Sequence, residues 1–144
     1  MITPLNPDLT IDVVAVEKLM QLFANNNIHP LVLGTTGESS SIGEKESYRL
    51  VEAAVKAKAP NQCVYAGLVG NQVDALIERG NKYIALGADC VVATLPSYYI
   101  LTPAQMTKFY QTLADKIAGP VMMYNIKATT QMTIPLDVVA ELSQ

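Results

Sequence analysis

Three short stretches of the chain carry side chains whose types and spacing could do chemistry together. In LVLGTTGE an apolar run ends at Gly34, and Thr35, Thr36, Gly37 and Glu38 follow. Pro96-Ser97-Tyr98-Tyr99 closes a second apolar run, and Tyr124-Asn125 closes a third. Threonine hydroxyls and unpaired backbone N–H groups can hold a carboxylate, and glycines let the backbone approach it closely. A tyrosine hydroxyl both donates and accepts, so tyrosines bonded in series can pass a proton. Each feature also has a plainer reading. Gly34 and Gly37 can be turn residues only, and a tyrosine at a strand end is commonly an amphipathic rim residue. The loop is not a nucleotide phosphate loop, because GxxxxGK[ST] does not occur.

The elements that must position these residues follow from hydrophobic pattern. Four apolar runs, Pro30–Leu33, Cys63–Leu68, Cys90–Leu95 and Val121–Tyr124, recur about every 30 residues, the size of a strand-plus-helix unit. Helical periodicity fills the intervals. Thr10 is expected to cap a first helix with Val13, Val16, Met20 and Phe23 inward. Ser41 and Glu44 are expected to form a capping box for a second, with Leu50, Val51, Ala54 and Val55 inward. A third helix runs from about Val73 to Ala85 and stops at Gly87. Thr102-Pro103-Ala104-Gln105 opens a fourth, whose stripe is Met106, Phe109, Tyr110, Leu113 and Ile117. A fifth begins near Pro135. Apolar strands alternating with amphipathic helices predict the α/β class with a parallel sheet. Residues 1–144 then form one incomplete domain, truncated at both ends. Met1-Ile2-Thr3-Pro4 reads as the end of a strand, and the last helix as one that should feed another strand.

Composition narrows the function. The 144 residues are 50% apolar and 16% charged, with net charge −3 and no long run of one sign. Nucleic acid is therefore not expected as a partner, since phosphate binding needs clustered cations. No run approaches the ~20 apolar residues of a membrane span, and no signal peptide opens the chain. Cys63 and Cys90 sit singly in apolar runs, without metal-ligand spacing, and read as reduced core residues of a cytoplasmic protein. His29, beside Pro30, reads as a loop or strand-edge residue. No metal or cofactor is expected.

In parallel α/β folds the chemistry gathers at the carboxyl ends of the strands. Gly34-Thr35-Thr36-Gly37-Glu38, Pro96 with Tyr98, and Tyr124-Asn125 all fall there, in an order and spacing that resemble the dihydrodipicolinate synthase / N-acetylneuraminate lyase family. These are (β/α)8-barrel class I aldolases that bind pyruvate or another 2-oxo acid as a Schiff base. The resemblance implies a stretch from the end of barrel strand 1 through helix 5, a TIM-barrel fold left incomplete, a small 2-oxo acid as ligand, and a homo-oligomer. It implies that Thr36 and a neighbouring N–H bind the pyruvate carboxylate, with Gly34 and Gly37 shaping the loop. Thr35 would link Tyr124, the proton shuttle, to a tyrosine contributed by the adjacent subunit. Tyr98 matches that tyrosine best, with Tyr99 second.

The departures are informative. The family's Schiff-base lysine ends the sixth strand, a strand beyond the matched stretch. Without that amine the chain forms no iminium electron sink. Its eight lysines fall mostly on helices or their ends; Lys127 lies three residues after Tyr124, in a polar loop. Lys127 and Gln131 replace the family's proline and glycine, and Thr129 stands where dihydrodipicolinate synthases place an arginine that grips the second substrate's carboxylate. A guanidinium's bidentate grip has no counterpart in a threonine. The expectation is a parent lyase for sugar acids or related 2-oxo acids. The alternative is a non-catalytic half-barrel that binds small carboxylates or self-associates.

Overall fold

The computed structural model describes residues 1–143, and its elements follow the hydrophobic pattern closely. The order is α1 (Val13–Asn25), β1 (Leu31–Val32), a 3₁₀ turn (Ser39–Ser41), α2 (Glu44–Ala57), β2 (Tyr65–Leu68), α3 (Val73–Ala85), β3 (Cys90–Thr94), α4 (Pro103–Lys116), β4 (Val121–Tyr124), α5 (Lys127–Thr130) and α6 (Leu136–Leu142). The four strands pair in sequence order and all in parallel, as a right-twisting βα succession requires.

β3 is buried at every residue, which is why it reads as an unbroken apolar run rather than an alternation. Its neighbours supply close contact. A Cβ on Gly67 of β2 would lie 2.0 Å from the carbonyl oxygen of Leu33, so only glycine lets these strands approach. Helix faces close the core from one side: Val16 and Met20 of α1, Leu50 and Val51 of α2, Leu76 and Tyr83 of α3, and Met106, Phe109 and Leu113 of α4. Val121 and Met123 of β4 line a crevice with Tyr110, Ala114 and Leu142, on the helix side. Alternation along the strand therefore turns Met122 and Tyr124 to the opposite face, where Met122 is 48% exposed.

Two helix starts differ from the sequence expectation. Asp12, not Thr10, caps α1: its carboxylate accepts the N–H of Ala15 at 3.0 Å. Thr10 is occupied instead by Asp8, which accepts its hydroxyl at 2.7 Å. Gly43, not Ser41, is the N-cap of α2, which has no side-chain cap, because the serines before it coil into the 3₁₀ turn. Thr102 and Gln105 do form the expected capping box, with Pro103 in the first turn. Met1–Pro4 is not a strand, although it lies against β1: the Met1 amino group donates to Leu31, and the Thr3 hydroxyl to Gly37 at 2.6 Å. The polar stretch after Tyr124 winds into the short helix α5 that periodicity could not reveal. Among the described residues no helix is long and apolar enough to cross a membrane.

Candidate functional site at the carboxyl ends of the strands

The GTTGE loop is shaped differently from what its glycines suggest. Left-handed backbone falls on Leu33 (φ 55°) and Glu38 (φ 53°), not on Gly34 or Gly37. Gly37 is needed for space: a Cβ there would approach the Met1 carbonyl oxygen to 2.9 Å. The turn closes through Gly37 N–H to Gly34 O and Glu38 N–H to Thr35 O, each 3.0 Å. These bonds consume the N–H groups of Gly37 and Glu38. Those of Thr35 and Thr36, like both threonine hydroxyls, have no protein partner among the described residues. Thr36 is exposed at the tip of this turn.

Across the sheet, Thr94 at the end of β3 pairs in register with Tyr124 at the end of β4. Thr94 is only 5% exposed and lies at the end of a run too apolar to advertise it. Thr35, Val69, Thr94 and Thr129 then line one cavity of about 230 Å³ with Glu38 and the serines of the 3₁₀ turn. An adjoining cavity of about 100 Å³ shares Ser40, Val69, Thr94 and Thr129, and adds Gly70, Leu95, Ser97 and Thr130. The site thus brings Thr35 and the Thr94–Tyr124 pair to one end of the sheet. The Thr35 and Tyr124 hydroxyls make no direct hydrogen bond among the described residues. Sequence reasoning missed Thr94, the wall of Ser39–Ser41 and Glu38 as a lining residue. The one signal for Thr94 was a polar residue at the end of a buried strand.

The second tyrosine of the expected relay stands apart. Tyr98 has φ +82° and is 86% exposed, with Tyr99 edge-on to it at 4.9 Å. Its turn is tied back by Asn71, whose side-chain oxygen accepts the N–H of Ser97 at 2.9 Å. Arg79 of α3 supports the turn after β2 by donating to Val69 O at 3.2 Å. A larger cleft of about 360 Å³ lies to the side, walled by Pro96, Tyr99, Leu101 and Phe109, and none of Thr35, Thr36 or Tyr124 lines it. Asn125 serves the backbone, accepting the N–H of Ile134 at 3.2 Å. Burial pushes the Tyr110 phenol up from its ordinary range, but Tyr110 faces the helix layer and donates to Ala93 O, away from the site. Lys127 is exposed, and no lysine or arginine lines either hydroxyl-rich cavity. Cys63 and Cys90 are free thiols, and the His29 ring accepts the N–H of Cys63 at 2.9 Å.

Successive parallel βα units with polar groups collected at the strand ends define the class: an α/β fold consistent with an incomplete (β/α) barrel. The sequence matches the Dihydrodipicolinate synthetase family over residues 1–144, and the chain belongs to that family. Among curated relatives, 4-hydroxy-tetrahydrodipicolinate synthase of Macrococcus caseolyticus is 36% identical over 99% of this chain and 48% of its own length. Among solved structures, dihydrodipicolinate synthase DapA-2 from Bacillus anthracis superposes with a TM-score of 0.94 at 29% identity, covering 100% of this chain and 50% of that one. The enzyme from Aquifex aeolicus gives 0.92 at 29% identity, covering 99% and 49%. The chain spans about half the length of the curated relatives it matches.

Proposed function

We propose that the chain seats the carboxylate of pyruvate or a related 2-oxo acid at the Thr35–Thr36 turn, as part of a Schiff-base lyase of this family. One observation carries the reading: the N–H groups and hydroxyls of Thr35 and Thr36 have no protein partner among the described residues, and Thr35 lines a cavity with Thr94, the register partner of Tyr124. Such donors bind an anion without a cation. In this arrangement Thr36 holds the carboxylate, and Gly34 and Gly37 set the turn. Tyr124 exchanges a proton with the reacting carbon or oxygen, and Thr35 orients it. Tyr98, projecting into solvent, completes the relay in an adjacent copy. No cofactor is called for.

Because no lysine lines either cavity, binding by these residues alone is reversible and non-covalent. Incubation with pyruvate and borohydride, followed by intact mass, tests this: an unchanged mass is expected, and an adduct on Lys127 would contradict it. For the second substrate, the names of the curated relatives favour the dihydrodipicolinate reaction. Thr129, at the cavity wall in place of a guanidinium, favours a sugar-acid type. We hold to the latter. A second reading, a non-catalytic half-barrel that binds carboxylates or self-associates, draws on the outer edge of β4, which pairs with no further strand among the described residues, and on exposed Met122. Light scattering would report its dimers.

A further inference from the structure

The turn that follows β2 walls the site but has no backbone ties of its own. Val69 lines both strand-end cavities, and Gly70 lines the smaller one. Among the described residues no backbone–backbone hydrogen bond reaches Val69, Gly70 or Asn71. The one hydrogen bond to their main chain comes from half-buried Arg79 of α3, whose Nη1 donates to Val69 O at 3.2 Å. A Cβ on Gly70 would lie 3.7 Å from Arg79 Nη2, so the turn rests directly against the guanidinium. Arg79 takes part in no ion pair among the described residues, which leaves its donors for this carbonyl. A charged donor makes the stronger bond there. Its other neighbour is the buried Tyr83 phenol, which burial pushes up and which the Ser47 hydroxyl and Arg79 draw back down. One side chain thus joins the α2–α3 packing to the end of β2.

From Val69 the turn leads on to the next strand end. Asn71 accepts the N–H of Ser97 at 2.9 Å, Ser97 lines the smaller cavity, and Tyr98 is the next residue. We propose that Arg79 is a positioning residue of this site: through the Val69 carbonyl it fixes the Val69–Gly70 wall of the cavities and, by way of Asn71, the turn that presents Tyr98. Its effect on ligand binding rests on the carboxylate seat at Thr35–Thr36. Its hold on the Ser97–Tyr98 turn does not.

Two variants of the full chain test this. Arg79→Met keeps an apolar stem and removes the donors, and Arg79→Lys restores a cation. Hydrogen exchange is read at Ser97, whose amide is bonded to Asn71 and not to Arg79. Exchange there should quicken about five-fold in Arg79→Met and recover in part in Arg79→Lys. The Ala15 amide, held by the cap of α1, should stay as it was. Adding Arg79→Met to Asn71→Ala should quicken Ser97 no further, because both act through one turn. Pyruvate, titrated by amide NMR, should bind Arg79→Met about three-fold more weakly. A lowered urea midpoint with Ser97 exchange and pyruvate affinity unchanged would make Arg79 merely structural and overturn the proposal. Additive effects of Arg79→Met and Asn71→Ala at Ser97, or no recovery in Arg79→Lys, would overturn it too. Pyruvate that binds neither form, with Ser97 responding as expected, would contradict the carboxylate seat and leave the hold on the turn standing.

Discussion

Asn71 Oδ1 accepts the backbone N–H of Ser97 at 2.9 Å, so the turn after β2 holds the turn after β3. Tyr98, with its φ of +82°, is the next residue, and this bond helps keep it in a conformation it would not choose alone. Removing the acceptor in Asn71→Ala should cost about 1 kcal/mol in urea unfolding. It should also speed hydrogen exchange at Ser97, while Asn71→Asp, which keeps the oxygen, should preserve protection. Unchanged exchange in Asn71→Ala would show that the turn stands without this tie.

The close approach of β1 and β2 gives a steric prediction. A Cβ at position 67 would sit 2.0 Å from Leu33 O and 2.6 Å from Leu33 C, both backbone atoms. Gly67→Ala should therefore destabilise by roughly 3 kcal/mol, because strands rather than side-chain ends must move. The loss should appear as a lowered urea midpoint together with altered Thr35 and Thr36 amide shifts.

The helix starts differ in what substitution can do. Thr102→Ala breaks a capping box and should cost about 1 kcal/mol, and Asp12→Ala a similar amount. Ser41→Ala should cost almost nothing, since Ser41 caps no helix. Gly43→Ser should stabilise α2 by a few tenths of a kcal/mol, because a Cβ there meets nothing within 4 Å. Thermal melts of the four variants order them directly.

Acid sensitivity should trace in part to Asp89. Burial alone would raise its pKa, but two bonds from Lys58 Nζ, at 3.0 and 2.8 Å, and the Val64 N–H at 2.7 Å outweigh that and hold it below its ordinary value of 3.8. A carboxyl lowered by folding stabilises the fold above its unfolded pKa and loses that contribution as pH falls through the folded one. Stability should therefore decline below about pH 4, and Asp89→Asn should show a shallower decline there than the unaltered chain. Urea midpoints at a series of pH values between neutrality and pH 2 would measure the difference.

Much of this fold was legible because burial on both faces leaves a plain mark. Cys90–Thr94, buried at every residue, is a strand as its apolar run implies, and α3 and α4 occupy the spans their periodicity gives. The caps of α1 and α2 were not legible, because Thr10 and Ser41 are drawn into local bonds and turns that compete with capping. Nor could the sequence show that Leu33, Glu38 and Tyr98, none of them glycine, would take left-handed backbone. For the site, the motif residues marked the right end of the sheet. Thr94 stayed hidden because a buried threonine in an apolar strand looks like packing. Glu38 was read as part of a motif, and only the structure places it in the lining of a cavity.

The account turns on whether the Thr35–Thr36 turn holds a 2-oxo acid carboxylate, and an amide NMR titration with pyruvate tests that most directly. Saturable shifts are expected at Thr35, Thr36, Thr94 and Tyr124, and Thr36→Val, similar in shape but without the hydroxyl, should weaken binding several-fold while leaving the fold intact. Pyruvate that moves none of these four amides, or binds Thr36→Val as tightly as the unaltered chain, would contradict it.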